Sequence, residues 1–117
     1  MIREMEIPEM IDHEMPVLQS RLDAMSASLF RSVKVFADYT KSQIEQGHIV
    51  AVKKCFALAD KMLCEGDMIV VMAVRNIYIY SISKALDQNT PFSKICRSML
   101  SDGLKKEYIH QLYAKGT

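Results

Sequence analysis

Tryptophan is missing from this 117-residue chain, and glycine, proline and cysteine are scarce, at four, three and three residues. So few chain breakers disfavour an all-β design, whose many turns need glycine and proline. No glycine is left for a phosphate loop: neither GxxxxGK(S/T) nor GxGxxG occurs, and GxSxG is also absent. Each glycine falls instead where a helix is expected to end. Cys55, Cys64 and Cys96 are odd in number and lack a CxxC spacing. They predict packed free thiols in a reducing cytosol. A strong net charge is lacking as well. At +1 the chain offers no electrostatic case for binding nucleic acid or an anionic membrane. The N-terminus is acidic and has no apolar stretch of the kind found in export signals, so a cytoplasmic protein is expected.

What is present is a chain that is half apolar and a quarter charged, enough to bury the core of one domain. Its charge is uneven. Glu4, Glu6, Glu9, Asp12 and Glu14 stand against Arg3 in the first 15 residues, a net of −4, which leaves +5 for the remainder. An acidic arm, or a short helix, folded onto a basic body is expected. Nine methionines suit the irregular gaps of a helical core.

The chain is organised around its most apolar run, EGDMIVVMAVRNIYIYSISKALD, residues 65–87. As a helix over 68–86 it is apolar on most sides. Asn76, Ser83 and Asp87, seven and four apart, share a narrow wet stripe with Arg75 to one side. Asp67 is placed to cap the first turn, and Gly66 to end the preceding helix at φ > 0. A β-hairpin is the competing reading, since IYIYS alternates, but Arg75-Asn76 makes a poor two-residue turn. The length also suits a membrane span, yet Arg75 and Asn76 near its middle argue against one.

Punctuation marks the other elements. Pro8 suits the start of a helix to residue 14, and Pro16 that of another over 16–25. Ser26 or Ser28 caps a helix to residue 46 with Leu29, Phe30, Val33, Phe36, Ala37, Thr40 and Ile44 inward. Gly47 ends it. A helix over 48–65 turns Val52, Cys55, Phe56, Ala59, Met62 and Leu63 inward. Thr90 and Pro91 start a helix to about residue 100. A last one, 104–114, points Leu104, Tyr108, Ile109, Leu112 and Tyr113 inward. FADYTKSQIEQGHIVAVKKCF weakly echoes FALADKMLCEGDMIVVMAVRNIY, as two helical hairpins sharing a middle helix would. The expected fold is a single all-α domain over 1–117, a compact antiparallel bundle of five to seven helices around 68–86.

The succession FADYTKSQIEQG, VKKCFALADKML, EGD with its apolar helix, and GLKKEY resembles a family of small uncharacterised bacterial proteins over residues 29–113. The resemblance implies a compact helical domain in a bacterium. It implies no activity, because the family is one of unknown function.

The residues that carry chemistry are dispersed. Glu9 and His13 share a helical face, but zinc needs three or four ligands and no other histidine is near. His48 and His110 read as surface or half-buried residues. Cys55 reads as a core thiol. Cys64 lies near a helix C-terminus, where the dipole opposes thiolate formation. Cys96, near Lys94 and Arg97, is the best-placed thiol for reactivity. No catalytic residue, cofactor or metal is expected. Arg75 and Asn76 interrupt a dry helix, so they face solvent or pair with a buried acid such as Asp38 or Asp60. With Tyr39, Tyr78 and Tyr80 they are the candidates for a binding groove. The expected function is a non-catalytic protein–protein interaction or regulatory module, one form of which would mask a partner by charge complementarity, as immunity proteins and antitoxins do. The alternative is a small-molecule binder or enzyme with its pocket near Arg75, Asn76 and the tyrosines. A protein partner is expected, with a homo-oligomer among the forms it would take, and neither nucleic acid nor membrane.

Overall fold

A computed structural model of the chain describes residues 1–16 and 29–114. After a 3-10 turn at Glu4–Glu6, six helices follow: α1 (Ile7–Glu14), α2 (Leu29–Gln46), α3 (Ile49–Glu65), α4 (Met68–Leu86), α5 (Pro91–Ser98) and α6 (Asp102–Ala114). The fold is all-α, without a strand among the described residues. The helix expected over 16–25 and the Ser26 or Ser28 cap lie outside those residues.

Side-chain chemistry sets the boundaries. The Asp67 carboxylate accepts from the Val70 N–H at 3.0 Å, relieving an orphan donor of the first turn of α4. Thr90 does the same for Ser93 at 3.1 Å, with Pro91 in the first turn of α5. Gly47 takes φ +76°, the left-handed conformation that lets the chain leave α2. Gly66 departs from expectation. It is extended, at φ −72° and ψ 155°, and needs no left-handed backbone. What excludes a side chain there is crowding: a Cβ would sit 2.4 Å from the Met62 carbonyl oxygen and 2.5 Å from Val70 Cγ1. The extended backbone is paired with Ile2, whose N–H donates to Glu65 O at 2.7 Å and whose carbonyl accepts from Asp67 N at 2.8 Å.

The core gathers on the inward face of α4. Val70, Ala73, Val74, Tyr78, Ile79, Ile82 and Leu86 are buried there. Val33, Phe36 and Ala37 of α2 meet them, as do Val52, Cys55 and Met62 of α3. Ile7 and Ile11 belong to the same core, so the acidic arm is tied in by its apolar side. The Val, Leu, Ile, Phe and Met side chains among them each contribute about 1.5–3 kcal/mol by leaving water. Tyr78 stacks on Phe36 with ring centroids 4.7 Å apart. Its hydroxyl donates to Thr40 Oγ1 at 3.0 Å, and Thr40 donates to Phe36 O at 2.9 Å, so a phenol sits in the core with its polar end satisfied. By length and composition α4 could cross a membrane, but half of it is packed inside the bundle, as suits a core helix.

Three inward assignments are corrected. Phe30 on α2, and Ile109 and Tyr113 on α6, are exposed at 56%, 42% and 74%. Helical spacing placed them beside an apolar stripe, but the neighbouring helices cover only part of that arc. The expected wet stripe of α4 is corrected as well, because Ser83 is fully buried and Lys84 is exposed.

Candidate functional site

The correction at Ser83 has a backbone cause. Residues Val74–Ile79 form a π turn in the middle of α4. On an α-helix a row of residues four apart drifts by about 40° per step, so it soon winds out of sight. The wider i→i+5 turn advances less per residue, by roughly 15–20°, so its six residues take back about 90–120° of the about 160° by which a row over 68–84 would otherwise wind. Ser83 is thereby rotated away from Asn76 into the core, where its hydroxyl donates to Tyr80 O at 2.8 Å. Met68, Met72, Asn76, Tyr80 and Lys84 instead follow one outward band, and all five are exposed. Met68 is 78% exposed, Met72 48% and Tyr80 51%, with Ile69 beside them at 43%. Large apolar side chains exposed together, and not singly, are the kind of surface feature that marks interaction sites.

Two side chains of α6 hold the π turn. Glu107 Oε1 lies 3.1 Å from Arg75 Nε, and Gln111 Nε2 donates to the Arg75 carbonyl oxygen at 3.2 Å. The acid that pairs with Arg75 is therefore Glu107, not Asp38 or Asp60. Asp38 is bound to Lys34 at 3.0 Å, and Asp60 accepts from the Ser101 hydroxyl at 2.6 Å. The end of α4 is held separately. Arg97 donates to the carbonyls of Leu86 and Gln88, and the Tyr108 hydroxyl donates to Asp87 Oδ1. Burial, then the hydrogen bond to Asp87 and its charge, push the Tyr108 phenol up to about 12. Near the same end, Lys84 Nζ sits 6.0 Å from the centre of the Tyr80 ring, within reach of a cation–π contact.

The five residues proposed for a groove are divided. Arg75, Asn76 and Tyr80 lie on the outward face of α4, whereas Tyr78 is in the core, its phenol held well above its ordinary value by burial. Tyr39, on α2, lines a separate cleft of about 550 Å³ with Gln43, His48, Ile49, Val50 and Lys54. Burial, reinforced by the nearby Cys55, raises its phenol too. In that cleft His48 Nδ1 meets Gln43 Oε1 at 2.7 Å. Met68, Ile69 and Met72 were missed as surface residues, because methionine content and apolarity read as core. The spacing of Met68, Met72 and Asn76 was the available signal.

His13 is exposed, 3.8 Å from Glu14. Among the described residues no group of three or more His, Cys, Asp and Glu is placed to hold a metal. Cys55 is buried, which pushes its thiol up to about 11. Cys96, expected to be the most reactive thiol, is buried as well, and its thiol is raised because burial outweighs the pull of Arg97. Cys64 is exposed, and the Asp60 carboxylate that it meets at 3.6 Å is the main reason its thiol is raised.

An all-helical chain, built on one apolar helix with a polar π turn at its centre, is the class these observations define. The model of the family described as domain of unknown function (DUF7674) matches residues 6–114, and the chain belongs to that family. Neither the curated proteins nor the solved structures contain a match.

Proposed function

We propose that this protein is a non-catalytic interaction module, working in the cytoplasm of a bacterium, that docks a protein partner on the outward face of α4. The observation that carries the proposal is the exposure of Met68, Ile69, Met72 and Tyr80 on the helix around which the core is built. The backbone of such a face is packed against the core on its other side, so docking has side chains, and not a segment of chain, to order. Methionine and tyrosine are suited to it: one adapts its shape, and the other offers a large amphipathic area. The three thiols are unpaired, as suits a reducing compartment. The alternative pocket around Arg75, Asn76 and the tyrosines gains little from a structure that buries Tyr78, sets Tyr39 in a separate cleft and leaves Arg75, Asn76 and Tyr80 exposed.

The test is affinity recovery of the tagged chain from its own host. A protein partner recovered in stoichiometric amount with the parent and with Lys53→Glu, and lost with Met72→Glu, is the expected result. Undiminished recovery with Met72→Glu would remove the outward face of α4 from the function.

A further inference from the structure

The outward row of α4 reads as its own complement when one copy is reversed. We propose that the partner seated on this face is a second copy of the chain, with the two α4 helices antiparallel across a two-fold axis at Asn76. The inference rests on the docking role of that face and adds the identity of the occupant.

In a two-fold interface the same patch serves both subunits, so residue i meets residue j and j meets i. The row Met68, Met72, Asn76, Tyr80, Lys84 has Asn76 at its midpoint. Antiparallel pairing sets Asn76 opposite Asn76, Met72 opposite Tyr80, and Met68 opposite Lys84. Each pairing is chemically matched. A carboxamide carries both donors and an acceptor, so it can pair with its own copy across the axis. The thioether of Met72 meets an aromatic ring, a favourable sulfur contact. Met68 covers the aliphatic stem of Lys84 while the ammonium stays in water. That ammonium is then carried to the other copy's α4 N-terminus, where Glu65 and Asp67 stand. A parallel arrangement would put Lys84 against Lys84 and leave every other pair unmixed.

The π turn makes the geometry workable. A row that drifted as on a continuous α-helix would touch a straight partner at one or two rungs only. With most of that winding taken back by the π turn, the row spans about 24 Å over sixteen residues and faces one side over most of it. Arg75 is drawn to Glu107 at the flank, which keeps its charge off the axis. The near-neutral chain adds little long-range repulsion between copies.

The experiment is sedimentation equilibrium of the purified full chain at concentrations up to on the order of 100 μM, alongside oxidative cross-linking in a Cys64→Ser background. The parent is expected to sediment at twice the 13.4 kDa of one chain. Met72→Glu is expected to weaken association by at least about tenfold with an unchanged circular dichroism spectrum. Asn76→Cys is expected to oxidise to a covalent dimer and Met68→Cys not to, whereas Met68→Cys combined with Lys84→Cys is expected to cross-link. A parent that stays monomeric, a dimer indifferent to Met72→Glu, or preferential cross-linking of Met68→Cys overturns the inference. If the parent is monomeric and Met72→Glu still loses a different protein in the host, the docking role stands and only the identity of the occupant fails.

Discussion

The two faces of α4 are built from much the same residue types and do opposite things. Tyr78 is fully buried, stacked on Phe36 and bonded to Thr40, while Tyr80, two residues on, is half exposed. Ala73 is packed in the core and its neighbour Met72 points outward. Hydrophobicity alone does not separate the faces. The difference lies in phase, and the phase is set by the π turn and by the two α6 side chains that hold it. An apolar residue on this helix therefore serves folding or recognition according to its angular position.

The largest effect that tests this contrast is expected at adjacent residues. Ala73→Asp buries a carboxylate with no partner and should abolish the cooperative melt, at a cost of about 4 kcal/mol or more. Met72→Asp, one position away, should lose at most the stabilisation that docking on the outward face adds, and its melt should stay cooperative. Similar losses from the two would erase the contrast. Alkaline pH provides the next effect. Cys55 and Tyr108 have folded-state values raised to about 11 and about 12, from 9.0 and 10.0. The unfolded chain therefore releases these protons first. Their contribution is complete below about pH 9 and is lost as pH rises through 9–11 for Cys55 and 10–12 for Tyr108. The urea midpoint should fall over that range, and Tyr108→Phe should remove the upper part of the fall. A midpoint independent of pH up to 11 would contradict the burial of both groups.

A smaller effect is expected at the π turn. Arg75→Ala leaves Glu107, whose side chain is only 12% exposed, without its cation and should cost about 1–2 kcal/mol. Lys34→Ala breaks a solvent-exposed pair with Asp38 and should cost no more than about 0.5 kcal/mol. Thermal melts of the two variants rank them, and an equal or larger loss at Lys34 would show that the Arg75 pair is not what steadies the turn. The smallest pair concerns the tyrosines. Tyr78→Phe removes a buried hydrogen bond worth about 1 kcal/mol, and Tyr80→Phe should be close to silent.

The features legible in the sequence were those carried by short-range chemistry. Asp67, Thr90, Pro91 and Gly47 act within one turn, and each works where its residue type placed it. Most of the inward face of α2 and α3 followed from spacing; Phe30 lies at the edge of the covered arc, and Ser32, Val35 and Leu58 are buried although spacing did not place them inward. What was illegible depends on distant residues or on phase. Gly66 is excluded from bearing a side chain by Val70 and Met62 and is paired with Ile2, none of which its neighbours in sequence announce. The partner of Arg75 lies 32 residues away on α6. The exchange of Ser83 for Lys84 on the wet side comes from an i→i+5 turn that no residue pattern in VRNIYI signals. For the same reason the groove expected around five residues resolves into one face of α4, one core tyrosine and one separate cleft.

The three thiols differ in a way that makes the unaltered chain its own reporter. Cys55 and Cys96 are sealed in the core, and Cys64 alone is exposed, four residues before Met68. Because Asp60 disfavours its thiolate, Cys64 should alkylate more slowly than a free peptide thiol, yet well before the other two, which must wait for the bundle to open. A single fluorophore can thus be attached near the head of the outward row of natural residues. Its emission would register occupancy of that row, while late labelling of the buried pair would time the opening of the core in the same sample.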